Sequence, residues 1–221
     1  MTRRQFDENL EEIRALIHRM GDCVVEMIDL GVRCAMEPDA QLMQRVRSLD
    51  NVVDESERRA LELVVETILR QAPVAGDLRL LTSTLSIIGE LEKAGDDAEK
   101  MASRASRIQA EFPEEFRTAL YDLAQEVARI VQAAISLYDH YSDEMATQVL
   151  SLDDQVDSTY KNARRQFITL MDEQPGSART LFRCISVFHA LEHAADRAVE
   201  ITKRLRMHYR GYDEPAQVAE S

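Results

Sequence analysis

The chain has 221 residues, 45% hydrophobic and 30% charged, with 7 glycines, 5 prolines and no tryptophan. That length holds one large domain or two of about 110 residues, and so few helix breakers favour long helices. A net charge of −13 repels nucleic acid and anionic lipid, which argues against both as direct partners and leaves cations or basic protein patches.

The N-terminal segment MTRRQFDENLEEI turns acidic before any apolar run develops, so it does not read as a signal peptide. A first amphipathic helix follows, its apolar stripe running Phe6, Leu10, Ile13, Ile17, Met20, Val24, Met27 in steps of four and three. Pro38-Asp39 breaks it. The second helix carries Leu42, Val46, Leu49, Val53, Ser56 and Ala60 on one stripe, with Asp50 and Asp54 one residue along. Ala72-Pro73 ends it, because the residue before a proline leaves the helical region. The third helix is striped by Thr84, Ile87, Leu91, Ala94, Ala98 and Met101, and Phe112-Pro113 closes this half.

The second half repeats the first. Phe116, Leu120, Leu123, Val127, Ile130, Ala134 and Leu137 superpose on the first stripe at an offset of 110. After a break at Ser142-Asp143, Met145, Val149, Leu152, Val156, Thr159 and Ala163 match the second stripe at 103. After Pro175-Gly176-Ser177, Cys184, Val187, Leu191, Ala194, Ala198 and Ile201 match the third at 100. The offset shrinks as the second copy takes shorter connections. The fold expected is therefore all-α: six long helices forming two similar three-helix bundles from an internal duplication. Residues 1–110 would form the first bundle and 111–210 the second, with 211–221 an aperiodic, frayed tail. No stretch reaches 18 consecutive apolar residues, so no span crosses a membrane. Cys23, Cys34 and Cys184 are odd in number and lack a C-x-x-C, as in a reduced, cytosolic protein.

The duplication preserves acids. Leu91-Glu92-Lys93-Ala94-Gly95-Asp96-Asp97-Ala98 recurs as Leu191-Glu192-His193-Ala194-Ala195-Asp196-Arg197-Ala198, and Ser48-Leu49-Asp50 with Val53-Asp54 recurs as Ser151-Leu152-Asp153 with Val156-Asp157. With 40 acids in the chain, chance alone supplies about seven acid pairs at i, i+4, and most such pairs are solvated faces. These four are matched between the halves, although like charges at that spacing cost a helix roughly 0.2–0.5 kcal/mol each. Glu92 and Glu192 also continue apolar rows, where a carboxylate is costly unless a cation or a donor answers it. Two such helices side by side would make a four-carboxylate cup suited to Mg²⁺, Ca²⁺, Mn²⁺ or iron. Surface acids, or acids paired with arginines, remain the alternative on spacing alone.

Catalytic readings find less support. No histidine has Glu three residues before it, which disfavours a ferritin-like di-iron bundle. His189-Ala190-Leu191-Glu192-His193 matches H-x-x-E-H, but the first copy has Gly89 and Lys93 at those places and only residues 194–221 follow. A chance match, with His189 or His193 as auxiliary metal contacts, is the better account than a zinc protease. A phosphate-binding glycine loop and a G-x-S-x-G elbow are both absent.

The segment Arg70-Gln71-Ala72-Pro73-Val74-Ala75-Gly76-Asp77-Leu78-Arg79, running into Leu91-Glu92-Lys93-Ala94-Gly95-Asp96, resembles the PhoU family. That family shows P-V-A-x-D-L-R, then L-E-R-I-G-D, and repeats L-E-R-I-x-D-H-A in its second half. The similarity covers nearly the whole chain. It departs where the family's Arg is Lys93 and His193, where its Ile is Ala94 and Ala194, and where the second copy offers only Pro175 to Arg183 in place of P-V-A-x-D-L-R.

The resemblance implies multinuclear metal clusters of iron, manganese or another oxygen-preferring divalent cation. By position, one would use Asp50, Asp54, Glu92 and Asp96, the other Asp153, Asp157, Glu192 and Asp196. Pro73, Ala75, Asp77, Leu78 and Arg79 would be a signature corner, structural or partner-facing. The implied role is a cytoplasmic negative regulator of phosphate uptake and phosphate-starvation signalling, not an enzyme. It would link the ATPase subunit of the phosphate ABC transporter to a sensor histidine kinase, reaching the membrane only through these partners. A homo-oligomer, such as a homodimer, is expected from exposed apolar stripes on long helices. The alternatives are a metal-free helical scaffold and, behind it, a carboxylate–metal hydrolase.

Overall fold

A computed structural model describes residues 3–37, 39–108 and 112–210. Six helices account for almost all of them: α1 (Arg3–Met36), α2 (Ala40–Gln71), α3 (Ala75–Ser106), α4 (Arg117–Asp139), α5 (Asp143–Glu173) and α6 (Ala178–Arg210). No strand occurs among the described residues, and no helix is long and apolar enough to cross a membrane. The expected tail, 211–221, lies outside the described residues.

Several helix ends have a local cause. Asp39 caps α2, its carboxylate accepting from the Gln41 amide at 2.8 Å, and Ser142 caps α5 by accepting from the Met145 amide at 3.1 Å. Both satisfy donors that a helix N-terminus leaves orphaned. At the far end of α2, Ala72 turns left-handed (φ 45°), and its amide closes back on the Ile68 carbonyl before Pro73 stops the helix. Short 3₁₀ turns at Glu114–Phe116 and Pro175–Ser177 lead into α4 and α6.

The stripes point inward as their spacing requires. Every stripe residue of α3, α4 and α6 is buried, and those of α1, α2 and α5 are buried or half-buried. α1, α2 and α3 pack mutually, as do α4, α5 and α6. The two bundles then join along two seams, α3 on α6 and α1 on α4, so that one hydrophobic core runs through the whole molecule.

The α3–α6 seam is the more extensive of the two. Both helices are rich in buried alanines, among them Ala94, Ala98, Ala102 and Ala105 on α3 and Ala194, Ala195 and Ala198 on α6, and such small side chains let helices pack closely. The seam is also ion-paired across the duplication. Asp97, 8% exposed, meets the Arg197 guanidinium at 3.4 Å, and Glu90 meets it at 3.5 Å. Asp97 and Arg197 occupy the same position of the two repeats, so an acid in one answers a base in the other. In the α1–α4 seam, His18 and Asp139 approach to 2.6 Å, with Arg14 3.1 Å from the same carboxylate. A Cβ on Gly21 would fall 1.8 Å from Ile135 Cδ1, so the glycine is what lets these helices meet.

Candidate metal centre

The eight sequence-predicted acids gather into two sets, one per bundle, each on a pair of adjacent helices. In the first, Asp50 and Asp54 project from α2 towards Glu92 and Asp96 on α3. Asp50 is half-buried. Loss of water pushes its pKa up to about 6, and the charges of Asp54, Asp96 and Glu99 push in the same direction. Glu92 is raised for the same reasons, burial first and then Asp96, Glu57 and Asp54. One cation answers this set: the Lys100 ammonium lies 2.9 Å from Asp96 and 3.7 Å from Asp97.

The second set has the same layout on α5 and α6. Asp153 is half-buried and raised to about 6 by burial, then by Asp196, Asp157 and Asp154. Glu192 is raised by burial and by Asp196, against the opposing pull of His189 and His193. Asp196 is raised by burial and, more weakly, by Asp157. Lys161 pairs with Asp157 at 2.5 Å, and Lys203 adds a further positive charge near Asp153 and Asp196.

Sequence spacing alone could not show that an acid on α2 feels one on α3. Mutual repulsion across each helix pair does show it. It also brings in Glu57, Glu99 and Asp154, which the repeat did not single out; Glu57 stands one helical step from Asp54, the signal that was available. The Gly95–Val53 contact sets the α2–α3 spacing at the first cluster, since a Cβ on Gly95 would sit 3.2 Å from Val53 Cγ1.

A group of carboxylates that raise one another's pKa values is short of positive charge, and its donors are all hard oxygens. That chemistry fits a divalent cation such as manganese, iron or magnesium. The cups are open rather than collapsed. Among the described residues, the one trio of candidate ligands whose donor atoms all lie within 4.8 Å of one another is His189, Glu192 and His193.

The signature corner lies elsewhere, at the α2–α3 turn about 27 Å along α2 from Asp54 at 1.5 Å per residue. Asp77 sits in the first turn of α3, where its charge suits the helix dipole, and its amide closes onto the Val74 carbonyl at 3.1 Å. Ala75 has φ 42°. Pro73 is half-buried, while Ala75, Leu78 and Arg79 are exposed, as is Val74 at 75%. The corner thus has a structural core and an outward apolar face.

The PhoU domain of the family of that name matches residues 17–105 and again 120–205. The chain belongs to the PhoU family. It is 30% identical to the phosphate-specific transport system accessory protein PhoU homolog of Pseudomonas aeruginosa over 95% of this chain and 87% of the relative. It is 31% identical to the homolog from Pseudomonas putida, over 95% and 82%. The crystal structure of PhoU from Pseudomonas aeruginosa superposes with a TM-score of 0.86 at 29% identity, covering 93% of this chain and 99% of that one. The PhoU duplication coincides with the repeat seen in the stripes, and each domain match contains one acid set whole. The family's Ile-to-Ala departures, Ala94 and Ala194, are both buried where the helices crowd.

Proposed function

We propose that this chain is a cytoplasmic, cation-binding regulatory accessory protein of the phosphate transport system, acting as a negative regulator of phosphate uptake and starvation signalling. The relatives' names as accessory proteins of that system support the setting. The observation that carries the mechanism is the matched pair of carboxylate clusters, in each of which one aspartate is raised to about 6.

In this reading, residues 1–110 and 111–210 are two equivalent halves, each with its own site. Asp50, Asp54, Glu92 and Asp96 hold one cation cluster, and Asp153, Asp157, Glu192 and Asp196 the other. The bound cations supply the positive charge that lets the four carboxylates close, tying α2 to α3 and α5 to α6. The stiffened surface then docks on the transporter's ATPase subunit and on a sensor histidine kinase. No catalytic step is assigned to it. Apolar side chains left in water suit docking or a homodimer: Val65, Leu69 and Val74 in the first half, Ile168 and Phe182 in the second. Val65 and Ile168 are equivalent at the offset of 103.

The test is complementation. Cells lacking the gene are grown in ample phosphate, and both phosphate uptake and a phosphate-starvation reporter are followed. Deletion is expected to derepress both, wild-type protein to restore repression, and Asp50→Asn/Asp96→Asn/Asp153→Asn/Asp196→Asn to fail while accumulating normally. Unchanged uptake and reporter after deletion would refute the regulatory reading. Full rescue by the quadruple variant would separate regulation from cation binding.

A further inference from the structure

We infer that the second repeat holds a nitrogen-bearing metal site, His189–Glu192–His193, selective for zinc-like cations, which the first repeat lacks. The proposal deepens the cation-binding reading and rests on it for the location, since Glu192 belongs to both donor sets.

The geometry is specific. His189, Glu192 and His193 stand at i, i+3 and i+4 of α6, which brings them to one face of the helix. Glu192 Oε2 lies 3.2 Å from His189 Nδ1 and 3.8 Å from His193 Nε2, and the two imidazole rings meet edge to face at 4.1 Å between centroids. Ligands about 2.0–2.1 Å from a tetrahedral zinc ion stand roughly 3.3 Å apart. The separations bracket that value; the His189 Nδ1–Glu192 contact is also within hydrogen-bond reach, and the longer His193 contact is not. Three protein ligands, with the two histidine side chains 46% and 42% exposed, leave the fourth position open to water. Tyr160 of α5 lies parallel to the His189 ring at 5.7 Å and orients it.

Imidazole changes the selectivity. All-carboxylate sites suit magnesium, calcium and manganese, while two imidazoles beside one carboxylate suit zinc, cobalt, nickel or copper. At the equivalent places the first repeat has Gly89 and Lys93, and Lys93 turns aside to pair with Glu90 at 2.9 Å. One cup is therefore all-oxygen, and the other adds two imidazole nitrogens. The two halves of one duplicated fold would thus take two metal classes.

The experiment uses the full, untagged chain titrated with Co²⁺ and with Zn²⁺, read by visible absorption of bound cobalt and by calorimetry, beside Mn²⁺ titrations. His189→Gly and His193→Lys install the first repeat's residues at surface positions, and helicity by circular dichroism checks that they fold. The expected result is one Zn²⁺ equivalent retained in excess Mg²⁺, with the intense bands of four-coordinate cobalt. Affinity should fall more than about a hundredfold in each variant, beyond the roughly 10–100-fold that loss of an outer-shell partner costs. Zn²⁺ binding should be unchanged in Asp50→Asn/Asp96→Asn. Zn²⁺ affinity unaltered by both histidine variants, or a weak six-coordinate cobalt spectrum, would overturn the proposal. Manganese binding is the separate readout of the carboxylate clusters: its absence throughout, with histidine-dependent zinc intact, would sink that reading and leave this one standing.

Discussion

Asp50 and Asp153 concentrate the physics of the two clusters. Each holds its proton more tightly in the folded chain, at about 6, than at the ordinary value of 3.8. Between those values the folded state carries more protons than the unfolded one. Their contribution to stability is thus greatest in acid and falls as pH rises through that window. Without added metal, Asp50→Asn/Asp153→Asn should melt higher than the wild type at pH 7 and lose part of the decline between pH 4 and 6. For a chain this long the rise is about 2–4 °C per kcal/mol recovered. Saturating Mn²⁺ should reverse the order, raising the wild type and leaving the variant unmoved, and the manganese effect should vanish below about pH 5 as protons compete for the ligands. Thermal melts across pH, with and without Mn²⁺, test both statements; parallel wild-type and variant curves would contradict them.

Among the helices, the repeat and its breaks were plain in sequence, because period, proline and cap residues are local signals. The α2–α3 corner was less so. Ala72 and Ala75 both take positive φ (45° and 42°), conformations that favour glycine and that no local residue announces. Ala72→Gly should therefore stabilise by about 1 kcal/mol, read as a rise of a few degrees in Tm. Gly21 is the opposite case. It lies beside the first stripe and is the contact point with Ile135 on α4. Gly21→Val should destabilise by about 1–3 kcal/mol through overpacking. A neutral outcome in chemical denaturation would show that α1 and α4 have room to separate.

Across the molecule, the acid pairs on single helices were legible because the duplication repeats them, whereas their meeting across α2–α3 and α5–α6 was not. How the halves face one another was not, since stripes at matching offsets say nothing about which bundle face meets which. The α3–α6 seam answers it with Asp97 and Glu90 converging on Arg197. Arg197→Ala would leave the Asp97 carboxylate buried without that partner and should cost about 2 kcal/mol, less than a fully enclosed pair because Arg197 retains solvent contact. Exchanging the charges in Asp97→Arg/Arg197→Asp should recover part of the loss, because the repeats present equivalent positions; a double variant worse than both singles would contradict a paired seam. Which apolar side chains stay in water, Val65, Leu69 and Val74 in one half and Ile168 and Phe182 in the other, became visible with the fold.

The central claim is that each half of the chain carries its own carboxylate cation site. Elemental mass spectrometry of the untagged protein, reconstituted with Mn²⁺ and desalted beside Asp96→Ala and Asp196→Ala, tests it most directly. The account predicts more than one manganese per chain, falling in each variant with the other site still filled. No retained metal in the wild type, or content unmoved by either substitution, would contradict it.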